Sequence, residues 1–173
     1  MRVRTVLSVA ILLVAVSMAE LGRQTMSSTP EPFIKTAQQN RFTTSPVLPQ
    51  CYTYTVERGD PKTGPSVTLS KLAAGCKVPL HNHSANAQVL FVSGTFQLIM
   101  KGQHTQTLTP GSYAYVPASH QHQENCLDGC RYFVIRDGAA DIHYSDERGR
   151  EISPEIALAA VGERPAAVAS PHP

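Results

Sequence analysis

The stretch PLHNHSANAQVLFVSG, Pro79 to Gly94, places two of the chain's seven histidines two residues apart and a glutamine five residues after the second. The run AQVLFVSG is nearly continuous in apolar residues and ends on a glycine, the form of a strand closed by a turn. On a strand, side chains at i and i+2 point to one face, with Cα atoms about 6.6 Å apart. His81 and His83 therefore face the same way. Gln88 follows after a four-residue turn, at the start of the next strand. An adjacent antiparallel strand would bring its amide to the same spot.

Working outward, the pattern is short strands with turn punctuation. CYTYTVE and SVTLSKL alternate, TFQLIM sets Phe96, Leu98 and Met100 on one face, and TQTLT, SYAYVP and RYFVIRDG follow. Segments of this length, rich in Val, Tyr, Phe and Thr, point to an all-β sandwich or barrel. Only SPEIALAAVGE, at 153–163, reads as a helix, with Ser153 as cap and Pro154 and Glu155 in the first turn. The expected organisation is a barrel over 47–148, preceded by a Pro-, Ser- and Thr-bearing segment at 20–46. That segment reads as a flexible lead-in or a strap over a partner subunit. A short helix and a frayed Pro/Ala tail occupy 149–173.

A second histidine cluster lies in GSYAYVPASHQHQE, where a strand and a proline turn lead to His120 and His122. Four of the seven histidines thus fall in two groups separated by hairpins that can fold one onto the other. Imidazoles from two strands form a facial set about 2.0–2.1 Å from one ion, with open positions, as in catalytic zinc or non-haem iron sites. Such ligands suit Zn, Fe, Mn, Ni or Cu. His120 shares a face with His122 in extended chain, so register can make either one the ligand; the expected place for His120 is beside the ligands or at the pocket rim. His104, in a polar turn, is expected to be solvated, and His143 to be a satisfied strand histidine.

The two clusters read Gly75-x5-His81-x-His83-x4-Gln88-x5-Gly94 and Gly111-x5-Pro117-x-Ser119-x2-His122. They resemble the paired motifs of the cupin superfamily, with one residue fewer before Gly94. The resemblance covers roughly residues 65–137. It implies a cupin-type double-stranded β-helix, a jelly-roll barrel, with a short C-terminal helix beyond it. Metal ligands carried over by position are His81, His83, Gln88 and His122. Gln88 stands where the family usually has glutamate, which leaves the ligands neutral. Ser119 replaces the usual glycine and Cys126 a common asparagine. The second motif and the Asp-Gly turn after it are similar to the ChrR-like cupins, a subgroup related to the zinc-binding half of certain anti-sigma factors.

The N-terminus carries MRVR, then an apolar run without charge, then Ser17-Met18-Ala19 before Glu20, the layout of a secretory signal peptide over 1–19. Its loss removes Arg2 and Arg4 and leaves thirteen basic residues against thirteen acids. A neutral chain without a basic cluster argues against nucleic acid as partner, and no stable membrane anchor is expected after cleavage. The expected location is periplasmic or secreted. Four cysteines then read as disulfides, with three possible pairings. Cys126 and Cys130 flank a tight turn and are close enough to bridge. Cys51 and Cys76 remain by subtraction, and metal binding by Cys126 is the competing role.

Together these features suggest an exported metal-binding cupin with a small-molecule pocket walled by Leu90, Val92, Phe96, Leu98 and Met100. As an enzyme it would be a dioxygenase-type oxidoreductase or a metal-dependent lyase, with Glu124 the nearest carboxylate. The alternatives are a non-enzymatic ligand-binding or sensing module, as the anti-sigma likeness implies, and a cupin that has lost its metal. A homodimer is expected by analogy.

Overall fold

The computed structural model describes residues 31–167. The expected signal segment, the first part of the lead-in and His172 lie outside them. Ten strands form two five-stranded antiparallel sheets. Sheet one contains β1 (Tyr52–Gly59), β2 (Ser66–Leu72), β9 (Cys130–Arg136), β4 (Ala87–Ser93) and β7 (Tyr113–Val116), in that spatial order. Sheet two contains β10 (His143–Tyr144), β3 (Lys77–Asn82), β8 (His122–Cys126), β5 (Phe96–Met100) and β6 (Gln106–Leu108). From β2 onward the chain crosses between sheets at nearly every connection, and the two inner faces meet. This is the cupin jelly roll expected from the motifs.

Alternation decides which side chains enter. On β4, Ala87, Val89 and Phe91 are buried while Gln88, Leu90 and Val92 are exposed. The pocket wall expected at Leu90 and Val92 is therefore on the outer surface. Phe96, Leu98 and Met100 of β5 do face inward. On β2 the buried set is Ser66, Thr68, Ser70 and Leu72, so part of the interior is lined by hydroxyls.

The interior is divided along its length. At one end Phe91, Phe96 and Tyr132 stack with centroids 5.1–5.6 Å apart. The disulfides sit here. Cys51–Cys76 and Cys126–Cys130 each join a residue at or beside a strand of one sheet to one of the other, and no cysteine is free. The four are neighbours: the Cys126 and Gly75 amides donate to the Cys76 and Cys126 carbonyls, both at 2.8 Å, and Leu72 stands opposite Cys130. His81 lies five residues beyond Cys76, so the histidines occupy the other end, about 16 Å along the strand.

Both flanking segments are tied to the barrel. Thr43 and Tyr54 exchange backbone hydrogen bonds of 2.8 and 2.9 Å, so this part of the lead-in lies on the chain's own β1 rather than hanging free. α1 (Pro154–Ala160) starts as expected, with the Ser153 side chain accepting from the Ile156 amide. The tail beyond it is not frayed up to Ala166, whose amide donates to Leu48 O at 2.9 Å, while Gln50 N donates to Arg164 O.

Candidate metal centre

His81 is on β3 and His122 stands directly opposite it on β8, while His83 follows β3 by one residue. All three are buried, at 1, 2 and 7% exposure. Ring centroids are 4.1 Å apart for His81–His122, 4.9 Å for His81–His83 and 5.3 Å for His83–His122. Their ligand nitrogens all lie within 4.8 Å of one another.

Each ring is oriented by a backbone carbonyl. The Nδ1 of His81 meets Pro79 O at 2.7 Å, that of His122 meets His120 O at 3.0 Å, and that of His83 meets Asp141 O. A carbonyl only accepts, so each Nδ1 carries the hydrogen and each Nε2 keeps its lone pair. Protein metal sites orient their histidines in this way. Burial keeps the rings neutral: it holds His83 at about 3, helped by the Arg136 charge, holds His122 at about 4, and pushes His81 well below the usual imidazole range. Three neutral imidazoles with free Nε2 atoms fit a divalent transition ion.

Gln88 is not with them. It is exposed on the outer face, where its Oε1 accepts from the Tyr113 hydroxyl at 3.2 Å. The missing residue before Gly94 was the signal. Leaving six residues between the ligand and that glycine, as the motif requires, lands on Ala87, which is buried and points inward. The position that the resemblance assigns to a carboxylate therefore holds a methyl group.

His120 is half-buried beside His122, its Nε2 buried without a partner. His104 is exposed, and His143 bonds Glu151 and Asp141 at 3.2 Å each, which raises its pKa. Ser119 adopts φ +62°, the left-handed region that favours glycine, and its amide ties the second cluster to His83 O at 2.7 Å.

Three residues beyond the original set complete the site. Glu124 follows His122 on the same strand face, with Oε1 4.0 Å from His122 Nε2 and Oε2 accepting from the Tyr132 hydroxyl at 2.8 Å. Burial raises the pKa of Glu124, against the pull of Tyr132 and Arg136. Arg136 opens onto a cavity of about 230 Å³, lined also by Tyr52, Tyr54, Thr68, His83 and Ile142. Sequence reasoning passed over Tyr132 and Arg136 because RYFVIRD offers two faces; their shared register with Cys130 is the signal that separates them.

Comparison with known proteins agrees with the fold. The chain matches the ChrR cupin-like domain over residues 34–139, and it belongs to that family. Among solved structures it is similar to an RmlC-like cupin from Shewanella frigidimarina, at 15% identity and TM-score 0.55 over 64% of this chain and 95% of that one. It is also similar to the polyketide cyclase RemF from Streptomyces resistomycificus, at 14% and 0.55 over 68 and 89%. The DMSP lyase DddQ from Ruegeria pomeroyi gives 15% and 0.51 over 67% of this chain, and the match spans 61% of the lyase's length. A second DMSP lyase structure is spanned over 53% of its length. These likenesses concern architecture. No curated protein matches the sequence.

Proposed function

We propose that this chain is an exported, metal-dependent cupin enzyme that oxidises a small molecule by dioxygenase-type chemistry at His81, His83 and His122. The observation that carries the reading is the shared orientation of the three rings, each Nδ1 on a carbonyl and each Nε2 left free. A bound divalent ion would supply Lewis acidity and open positions for oxygen or substrate. The protein's part is to hold three imidazoles neutral, keep bulk water from their buried faces, and present the substrate from the cavity beside His83. Two disulfides among the described residues support an oxidising compartment, and with it the signal-peptide reading of residues 1–19. An exposed apolar strip on β4 and edge strand β7, with Leu90, Val92, Tyr113 and Tyr115, supports self-association.

A specific observation favours a second reading. Glu124 lies beside the centre and accepts a hydrogen bond from Tyr132, so a carboxylate is placed to take a proton from a substrate carbon. This suits a lyase, as the likeness to DMSP lyases would also allow. Both readings are tested by metal analysis of protein exported by its own cell, followed by turnover assays on phenolic, keto-acid and carboxylate-bearing compounds. Oxygen consumption supports the dioxygenase, and turnover unchanged without oxygen supports the lyase. A full metal load with no turnover would leave the binding or sensing module. Protein without metal would overturn the centre itself.

A further inference from the structure

Arg136 ends β9, the central strand of sheet one, between Ser66 of β2 and Ala87 of β4. It shares its strand face with the buried Cys130, Tyr132 and Val134, so it enters the barrel. Its Nε is buried and has no hydrogen-bond partner, and the Oγ of Ser66 across the ladder is likewise buried and unpaired. Among the described residues Arg136 joins no ion pair. The acids nearby are engaged elsewhere: Asp141 accepts from the Ser84 amide and contacts His143, and Glu124 accepts from Tyr132. Ala87, opposite Arg136, supplies no charge.

A buried guanidinium N–H without an acceptor is unfavourable, and such groups in proteins generally have a partner. This one lines the cavity it shares with His83, Tyr52, Tyr54 and Thr68. Its planar donor fork matches a carboxylate, which accepts two parallel hydrogen bonds. We propose that Arg136 anchors the carboxylate of a small organic acid in this cavity, so that the carbons next to the carboxylate lie on the His83 side. The proposal rests on the small-molecule pocket of the preceding reading but not on its metal.

The test uses benzoate, its neutral isostere benzamide, and inorganic phosphate as probes, titrated calorimetrically into the full chain, both stripped of metal by chelation and loaded with Co2+. Benzoate is expected to bind about tenfold or more tightly than benzamide in both forms, and more tightly than phosphate. In Arg136→Gln the preference should vanish from the stripped protein, with Co2+ stoichiometry unchanged, and Arg136→Lys should keep part of it. The ligand-free Arg136→Gln protein should be at least as stable as the wild type, because no internal bond is lost; a large drop in its melting temperature would mark a structural role instead and overturn the proposal. Equal affinity for benzoate and benzamide, no benzoate binding at millimolar concentration, phosphate outranking benzoate, or a preference that survives Arg136→Gln would each overturn it as well. A wild type that takes up no Co2+ yet loses its benzoate preference in Arg136→Gln would defeat the metal reading and leave this one standing.

Discussion

Ala87 and Arg136 stand directly opposite each other across the β4–β9 ladder, both on the inner face. The position that the motif assigns to an acid is thus a methyl group beside a cation. Ala87→Glu should place a carboxylate there, within reach of both the guanidinium and the imidazoles. Metal retention against a competing chelator should tighten by about tenfold, since a charged ligand is added where the wild type offers none. Overpacking should lower stability by about 1–3 kcal/mol. Gln88→Glu, one residue away on the outer face, should change neither quantity.

His81→Ala, His83→Ala and His122→Ala should each abolish stoichiometric retention of a divalent ion, read by elemental analysis after gel filtration. His104→Ala should retain it fully. His120→Ala should lower affinity without abolishing it, because its imidazole is beside the cluster while its backbone carbonyl, which orients His122, survives the substitution.

The metal-free protein should gain stability as pH rises through the imidazole range. Folded, His83 titrates at about 3 and His122 at about 4, with His81 well below its usual value, chiefly through burial. Unfolded, all three titrate near 6.5. Between about 4 and 6.5 these three groups bind more protons in the unfolded chain, so their contribution to stability is lost as pH falls across that window. Glu124 and His143, both raised in the fold, slope the other way but are two groups against three. Urea midpoints of chelated protein should therefore be lower at pH 5 than at pH 7.5, and equal midpoints would contradict the buried, neutral triad.

Tyr132→Phe removes the hydroxyl that donates to Glu124 Oε2 at 2.8 Å and leaves a buried acid short of a partner. The loss should be about 1–3 kcal/mol in chemical denaturation at neutral pH. It should shrink in Tyr132→Phe combined with Glu124→Gln, where no charge is stranded.

At Gly94, φ is +88° and an added Cβ would meet the Gly129 carbonyl oxygen at 2.2 Å. Both are backbone constraints, so Gly94→Ala should lower the melting temperature sharply. Ser119→Gly should raise it modestly, relieving about 1 kcal/mol of left-handed strain at φ +62°.

Much of the architecture was legible because turns and alternation are local. Strands ended at Gly94 and Gly111, the Ser153 cap and the Cys126–Cys130 turn all follow from neighbouring residues. The facing of β4 was not. In AQVLFVSG both alternate sets carry apolar residues, and a shift of one position exchanges the faces; only the count to Gly94 separates Ala87 from Gln88. The three histidines were legible because their spacing survives that ambiguity. Arg136 was hidden because a charged residue at a strand end ordinarily reads as solvent-exposed, and its burial depends on strands distant in sequence. The tail up to Ala166 differs from the frayed segment expected because the Arg164 carbonyl and the Ala166 amide bond residues 48–50, which lie far away in sequence.

The cysteine end of the barrel is joined by covalent links that require an oxidant, whereas the histidine end offers lone pairs that require only deprotonated rings. The two ends therefore mature by separate chemistries. Each disulfide clasps one of the strands β3 and β8, which carry His81 and His122, to the opposite sheet, so a chain kept under reducing conditions should load its centre late and loosely, and one oxidised first should load it promptly.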